Sequence, residues 1–197
     1  MRDFAVVWDW NGTIVDDAQL FVDIMNLFLK EQRLPLIDVD IYRESFEFPI
    51  INYYRRLGFD FKKESFESLA SRFIDIYQEK RFNAPLFPGV FDIIKSLNRA
   101  GALQFVVSAQ ENSLLVSSVK HYGLHDCFCA FRGVDNVFAS GKIELAVNLK
   151  IEYLSSIKNV FVVGDSLQDL SVAQSLNAVS LLVSYGHYAK HRLVGNN

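Results

Sequence analysis

In this 197-residue sequence, aspartates follow directly on two short apolar runs. Asp9 comes after Phe4–Trp8. Asp165 and Asp169 come after Val160–Val163. A carboxylate in that position lies at the carboxyl end of a buried strand, where open α/β sheets bind their ligands. An isolated aspartate is more simply explained as a strand end or turn cap, so chemistry is indicated only if the groups converge.

The residues near these aspartates favour convergence around an anion. Gly12 and Thr13 follow the first apolar run and provide a sharp turn, backbone N–H groups and a hydroxyl. If a helix begins near Ser166, Asp165 lies in the loop before it and Asp169 in its first turn. Both carboxylates then face the same crevice.

Three carboxylates that meet at one sheet edge repel one another unless a cation lies among them. Mg²⁺ is a hard ion that takes oxygen ligands, commonly one or two carboxylates together with waters and a substrate phosphate. Such an ion suppresses the repulsion and keeps Asp9 ionised for attack. The sequence therefore predicts Mg²⁺ as the cofactor.

A phosphoryl group in transfer also needs a hydroxyl donor at its oxygens. Ser108 follows the apolar run Leu103–Val107, and parallel strands would place it at the same sheet edge as Asp9. A serine that closes a strand or caps the next helix explains Ser108 alone about as well.

The same phosphoryl group needs a cation beyond the metal. Lys142 follows Gly141 at the start of a helical pattern, between Ser108 and Asp165 in chain order. For a lone lysine, solvated surface is the usual environment. Lys150 and Lys158 stay open as alternatives.

The composition limits the possible partners. Half of the residues are hydrophobic, 22% are charged, and the net charge is −3, as in ordinary globular proteins. The scattered basic residues form no field that would neutralise nucleic acid or anionic lipid. No apolar stretch has signal-peptide or membrane-spanning length. We expect a soluble cytoplasmic protein that binds a small molecule, and its oligomeric state stays open.

Apolar runs and helical patterns alternate from about residue 86 onward, as in βα repeats. Uniformly apolar runs are typical of strands buried on both faces of a parallel sheet. The predicted fold class is therefore α/β, with a doubly wound, Rossmann-like sheet. The predicted strands are Phe4–Trp8, Leu103–Val107, Val160–Val163 and Val179–Val183, with a weaker one at Phe128–Val134. The predicted helices are Val90–Arg99, Ser113–Tyr122, Ile143–Leu154 and Leu167–Leu176.

Residues 17–83 interrupt this alternation, because they contain helical patterns rich in aromatic residues and no convincing strand. The predicted segments are Leu20–Glu31, Val39–Phe46, Ile50–Leu57 and Glu64–Lys80. We expect an inserted helical cap over residues 17–83 and an α/β core built from residues 1–16 and 84–197.

Taken in order, these residues resemble the four motifs of the haloacid dehalogenase-like superfamily. The motifs are Asp9-Trp10-Asn11-Gly12-Thr13, Ser108 after a strand, Lys142 at a helix start, and Gly164-Asp165-Ser166 with Asp169. Phe87-Pro88-Gly89-Val90 resembles the return from cap to core in phosphoglycolate phosphatase-like members, and the cap position resembles the C1 type. Each motif is short, but their order and placement span nearly the whole chain.

The resemblance implies a phosphoric monoester hydrolase that forms an aspartyl-phosphate at Asp9 and acts on a small phosphorylated metabolite. The implied phosphate-binding residues are Gly12, Thr13, Ser108, Ala109 and Lys142. The implied Mg²⁺ ligands are Asp9, the backbone carbonyl of Asn11, and Asp165, with Asp169 as a further ligand or just outside the ligand shell.

Asn11 departs from the family pattern, in which an aspartate at this position protonates the leaving group and later deprotonates water. An amide cannot exchange protons in this way. The loss of a general acid–base costs about 10²–10⁴-fold in rate, so slow turnover is expected. The alternative function is a weakly catalytic or non-catalytic member that binds a phosphometabolite or a protein.

Four further possibilities are less favoured. Phosphonate chemistry would need a cap lysine, for which Lys30, Lys62, Lys63 and Lys80 are the candidates, and dehalogenation would need no metal site. The Arg55-Arg56 pair is more simply a solvated helix face than an anion site. His187 follows the last predicted strand, and we expect a surface-loop histidine rather than an acid–base group.

Overall fold

The computed structural model describes residues 4–135 and 141–194. Five parallel strands form one sheet in the order β3-β2-β1-β4-β5. The strands are β1 (Phe4–Trp8), β2 (Leu103–Glu111), β3 (Ala130–Val134), β4 (Asn159–Gly164) and β5 (Val179–Leu182). Helices cover both faces, so the predicted doubly wound α/β fold is confirmed.

Four helices lie between β1 and the rest of the sheet domain. They are α1 (Ala18–Glu31), α2 (Val39–Ser45), α3 (Ile50–Arg56) and α4 (Phe66–Lys80), and we call them the cap helices. Each contributes buried apolar residues to one cluster. In α4 these recur at helical spacing and are Phe66, Leu69, Ala70, Phe73 and Tyr77. All four predicted helical segments are therefore present.

The remaining α-helices pack on the sheet, except for the last one, which packs against the cap helices. They are α5 (Val90–Arg99), α6 (Asn112–His121), α7 (Lys142–Leu149), α8 (Leu167–Leu176) and a short α9 (Lys190–Leu193). The predicted helix Ile143–Leu154 is regular only as far as Leu149, and a π-helical turn at Lys150–Leu154 completes it. None of the described helices combines the length and apolar character needed to cross a bilayer.

β1 occupies the centre of the sheet because its side chains pack on both faces. Val6 and Trp8 lie in one buried cluster with Trp10, whereas Ala5 and Val7 lie in another. Alternate residues of the strand therefore face opposite sides of the sheet. The central strand thus delivers Asp9 to the carboxyl edge of the sheet.

Two strands differ from their predicted form. β5 is an edge strand with Val179 and Leu181 exposed, so the prediction of burial on both faces is wrong there. β2 extends to Glu111 rather than ending at Val107, with a register shift against β3 between these residues. Ser108 therefore lies within an irregular part of β2, because the bulge absorbs the extra residues.

A buried glutamine, Gln104, links β1 to neighbouring segments through hydrogen bonds. The Trp8 indole N–H donates to Gln104 Oε1 at 3.1 Å, and the Gln104 amide donates to the carbonyls of Ile94 (3.0 Å) and Cys127 (3.3 Å). We predict that Gln104→Leu lowers the free energy of unfolding by about 1–3 kcal/mol, because buried polar groups lose their partners. Urea unfolding measures this change.

The matched control is the same substitution in a Trp8→Phe background, where the indole donor is already gone. There the cost of Gln104→Leu should be smaller. Equal costs in the two backgrounds would mean that the Trp8–Gln104 hydrogen bond contributes nothing to stability.

Candidate active site

The carboxyl ends of β1 and β4 bring the three aspartates together. Asp9 extends the hydrogen bonding between β1 and β4, since its backbone N–H donates to the carbonyl of Val163 at 2.8 Å. Asp9, Asp165 and Asp169 are all buried, and each offers a carboxylate oxygen within 4.8 Å of the other two. The predicted convergence is therefore present in the fold.

Lys142 joins two of these carboxylates. Its ammonium donates to Asp9 Oδ1 and to Asp169 Oδ1, both at 2.6 Å, and the side chain is buried. Lys142 is the first residue of α7, which follows Gly141. Of the three candidate lysines, the structure brings this one to the carboxylates, whereas Lys150 is half-buried and Lys158 exposed.

Asp169 uses both oxygens in contacts with the protein. Oδ1 accepts from Lys142, while Oδ2 accepts from the backbone N–H groups of Asp165 (3.2 Å) and Ser166 (3.0 Å) and from the Ser166 hydroxyl (2.6 Å). Ser166 is the N-cap of α8, and the two residues form a capping box. Asp169 therefore fixes the loop that carries Asp165 and the position of the lysine.

The negative charge in this cluster is only partly neutralised. Burial raises the pKa of Asp9 well above its usual value; Lys142 opposes this, and Asp169 and Asp165 add to it. Burial also raises the pKa of Asp165, with His187 opposing and Asp169 reinforcing the shift. Burial disfavours the Lys142 ammonium, but Asp169 and Asp9 outweigh it and raise the pKa of Lys142. A divalent cation would relieve this excess of carboxylate charge.

The predicted phosphate-binding residues fall into two groups. Ser108 and Ala109 border a cavity with Asp9 and Lys142, and Ser108 Oγ accepts from the backbone N–H of Gln110 at 3.1 Å. Gly12 and Thr13 instead contact other groups of the protein. Neither is among the residues that border the cavity.

Gly12 lies in a crowded turn that requires glycine. Its φ is +73°, and a Cβ there would collide with the side chains of His187 and Asp165. Its N–H is directed at Val15 O (2.9 Å) and Asp17 Oδ1 (3.1 Å). The turn thus packs the loop after Asp9 directly against the loop after β4 and the segment after β5.

Asn11 is held by an acidic side chain that the sequence did not reveal as part of the site. Its amide Nδ2 donates to Asp17 Oδ2 at 2.5 Å and to Tyr77 OH at 2.7 Å, and Tyr77 OH donates in turn to Asp17 Oδ2 at 2.9 Å. Both amide hydrogens of Asn11 are therefore committed. Asp17 is fully buried just before α1, whereas Tyr77 comes from α4.

His187 is buried, so the prediction of a surface histidine is wrong. Its Nε2 lies 3.1 Å from Asp17 Oδ1, its Nδ1 lies 2.6 Å from Tyr42 OH, and its backbone N–H donates to Asp165 Oδ2 at 2.5 Å. Burial alone lowers the pKa of His187, but Asp17 and then Asp165 raise it above the ordinary value. The loop after β5 packs into the site instead of lying on the surface.

Four residues of the site were missed in the sequence: Asp17, Tyr42 and Tyr77 in these hydrogen bonds, and Gln110 at the cavity. Asp17 carried the one local signal, since the pair Asp16-Asp17 follows the first motif closely. The tyrosines have helical spacing that equally indicates cap core. Gln110 had no signal, because the predicted strand ended at Val107.

The candidates for the less favoured chemistries lie away from the cluster. Lys30, Lys62, Lys63 and Lys80 are exposed, as are Arg55 and Arg56. Among residues 4–135 and 141–194, none of these six borders the cavity. The geometry therefore gives phosphonate chemistry through a cap lysine no support.

Residues 6–183 match the haloacid dehalogenase-like hydrolase family. The chain belongs to this family. The resemblance inferred from the four motifs is thus confirmed over most of the sequence.

Similar proteins extend this assignment. A phosphoglycolate phosphatase from Caulobacter vibrioides is 26% identical over 190 residues, which cover 93% of this chain and 80% of that protein. An N-acetylmuramic acid 6-phosphate phosphatase from Pseudomonas putida is 25% identical over 195 residues, covering 95% and 85%. The predicted enzyme class, a haloacid dehalogenase-like phosphatase, is confirmed by these relatives.

The fold has close counterparts among solved structures. A haloacid dehalogenase-like family protein from Streptococcus pneumoniae superimposes with a TM-score of 0.82 at 18% identity, covering 98% of this chain and 90% of that one. The core and the helical cap together are therefore an established architecture.

The buried ion pairs of Lys142 generate a stability prediction. Lys142→Met leaves Asp9 and Asp169 without their cation, so in the presence of EDTA the free energy of unfolding should fall by about 3–5 kcal/mol. Lys158→Met replaces an exposed lysine and should change it by less than about 0.5 kcal/mol. Urea titrations of both variants compare the two costs, and equal small effects would rule out a structural role for the Lys142 pairs.

Proposed function

We propose that this protein is a Mg²⁺-dependent phosphohydrolase that acts on a small phosphorylated metabolite through an aspartyl-phosphate at Asp9. The observation that carries the proposal is the cluster of Asp9, Lys142 and Asp165 at the carboxyl edge of the sheet, open to a cavity beneath the cap helices. The phosphatase relatives support the reaction class. A cytoplasmic location and the absence of a nucleic-acid partner stay predictions from composition.

Asp9 suits the role of nucleophile because it borders the cavity and one of its oxygens is already held by Lys142. The ammonium orients the carboxylate and offsets part of its charge. The remaining oxygen is the atom we assign to attack on phosphorus. The bond from phosphorus to the alcohol oxygen then breaks, and water later releases phosphate from Asp9.

The three buried carboxylates fit Mg²⁺, since they supply hard oxygen donors and their mutual repulsion is only partly relieved by Lys142. We assign Asp9, Asp165 and the backbone carbonyl of Asn11 as the ligands. Asp169 serves by holding Lys142 and the Asp165 loop, because its Oδ1 accepts from Lys142 and its Oδ2 accepts from three donors in that loop. When bound, the ion supplies charge stabilisation at the phosphoryl oxygens.

The substrate phosphate is assigned to the base of the cavity. Ser108 and Lys142 lie there as hydroxyl and ammonium donors, with Ala109 beside them. Gly12 and Thr13 support the loop around Asp9, and the Thr13 hydroxyl donates to Asp165 Oδ1 at 3.4 Å. Residues 17–83 form the cap domain in this proposal and enclose the organic part of the substrate.

Asn11 restricts the second half of the reaction. Its two amide hydrogens are held by Asp17 and Tyr77, so this side chain presents only a carbonyl oxygen to other groups. Such an oxygen accepts a hydrogen bond from water but does not take its proton. This contact pattern favours slow release of phosphate, and it gives specific support to a second candidate function, phosphometabolite binding with little turnover.

The primary test is a screen of phosphate monoesters with Mg²⁺. The parent protein should release phosphate, and Asp9→Asn should reduce release to the level of the buffer alone. Beryllofluoride with Mg²⁺ should form an adduct on the parent and none on Asp9→Asn, as followed by ¹⁹F NMR. Binding of phosphate esters without release would favour the second function, and identical behaviour of parent and Asp9→Asn would remove the proposed nucleophile.

The contacts of Asn11 generate a second prediction. In Asn11→Asp the new carboxylate lies about where Nδ2 now lies, 2.5 Å from Asp17 Oδ2, so repulsion between the two carboxylates should mask any gain. The double variant Asn11→Asp/Asp17→Asn keeps one carboxylate and one amide in reversed order. We expect its turnover to exceed that of the parent by about 10²–10⁴-fold, because an acid–base group is restored.

Asp17→Asn alone completes the comparison, since it removes the charge without supplying an acid–base group. Its turnover should not rise above that of the parent. Steady-state kinetics on all four proteins decide the matter. If the turnover of the double variant rises no more than that of Asn11→Asp, the placement of the amide at position 11 and the carboxylate at position 17 does not limit turnover.

A further inference from the structure

The walls of the cavity above the carboxylate cluster are much less polar than its base. The cavity has a volume of about 120 Å³ and is partly open to solvent. The cap helices line it with carbon-rich side chains. Representative members are Phe21 and Met25 from α1, Phe46 and Phe48 ahead of α3, and Phe73 and Ile74 from α4.

The basic groups of this cavity lie only at its base. Within residues 4–135 and 141–194, Lys142 and His187 are the basic side chains that border it, and both are engaged by buried carboxylates. Arg72 of α4 pairs with Glu31 and Glu64 outside the cavity. A carboxylate on the organic part of the substrate would therefore leave water without a cationic partner, which is unfavourable.

Three side chains that border the cavity have polar atoms without a hydrogen-bond partner among the described residues, namely Gln110, Tyr53 and Gln168. Gln110 borders the cavity, its residue is 9% exposed, and neither its Nε2 nor its Oε1 has a hydrogen-bond partner in the part of the chain that the structure describes. The Tyr53 hydroxyl on the cap side is in the same condition. Buried polar groups are normally paired, so these atoms are matched to a polar group on a ligand.

The few polar atoms also argue against a sugar. Each hydroxyl of a buried sugar needs its own donor or acceptor. A mainly carbon-rich wall, whose unpartnered polar atoms belong to Gln110, Tyr53 and Gln168, leaves most of them unsatisfied. An aromatic ring, by contrast, gains from contact with the phenylalanines and needs no such partners. The wall chemistry thus selects a neutral, ring-bearing group.

We propose that the substrate is the phosphate monoester of a neutral aromatic alcohol, whose ring lies among the cap side chains and whose one hydrogen-bonding substituent meets Gln110. This inference rests on the proposed function for the phosphate end and goes beyond it for the organic end. It separates this chain from the activity in the names of its relatives, because phosphoglycolate is a carboxylate and N-acetylmuramic acid 6-phosphate is an acidic sugar.

The first experiment compares alkyl phosphates whose leaving groups are of similar kind, so that ring recognition is not confused with an activated leaving group. With Mg²⁺, 2-phenylethyl phosphate should have a kcat/KM at least about 100-fold above that of ethyl phosphate, since each extra buried methylene contributes about 10–200-fold. 2-Phosphoglycolate and glucose 6-phosphate should fall with or below ethyl phosphate. A higher value for either than for 2-phenylethyl phosphate overturns the inference.

The second experiment tests the role of Gln110. Among the three ring-hydroxylated isomers of 2-phenylethyl phosphate, the best should exceed the unsubstituted ester by roughly tenfold in kcat/KM. Gln110→Met should remove that preference while 2-phenylethyl phosphate itself changes less than about threefold. Gln78→Met, on the exposed face of α4, is the matched control and should keep the preference. A preference that is absent in the parent or survives Gln110→Met overturns the assignment to Gln110.

Binding of non-hydrolysable phosphonates separates this inference from the proposed hydrolysis. Calorimetry with Mg²⁺ should give tighter binding for 2-phenylethylphosphonate than for phosphonoacetate, whether or not the protein turns over. That ranking without any hydrolysis would remove the proposed function and keep the inference. Hydrolysis of 2-phosphoglycolate together with tighter binding of phosphonoacetate would keep the function and remove the inference.

Discussion

Mutual repulsion among three buried carboxylates is the constraint around which this site is built. β1 and β4 are adjacent and parallel, so Asp9 and Asp165 must emerge side by side. Lys142 offsets part of their charge from the start of α7, and Asp169 holds both the lysine and the Asp165 loop from the first turn of α8. The order of the strands and the starts of α7 and α8 therefore bring these charges into one cluster. A divalent cation would neutralise more of its negative charge.

A second hydrogen-bond network connects this cluster to the cap helices. Asp17 accepts hydrogen bonds from Asn11, Gly12 and Tyr77, and it lies within hydrogen-bond distance of His187, which also meets Tyr42. The network crosses from the loop after Asp9 to α2, α4 and the segment after β5. The cap is consequently linked to the chemistry by polar contacts, although most of its interior is apolar. An amide at position 11 and a carboxylate at position 17 are parts of one arrangement.

The fold is shared with solved structures of this family, and the cap helices line the cavity with mainly carbon-rich side chains. Core motifs define a reaction class, whereas the side chains around the leaving group define which alcohol is accepted. Here those side chains are mainly aromatic, with unpartnered amide and hydroxyl atoms at Gln110 and Tyr53. Identity of about 25% to proteins with acidic substrates is compatible with a different alcohol.

Local patterns in the sequence were sufficient for the sheet, the helices, the family and the convergence of Asp9, Asp165, Asp169 and Lys142, because strand ends and helix starts have short-range signals. Tertiary structure alone decided the partners of Asn11, the burial of His187 and the position of Gln110. Asp17 meets residues 60 and 170 positions away, and no local pattern encodes such contacts. The bulge in β2 likewise depends on pairing with β3, which a single strand does not reveal.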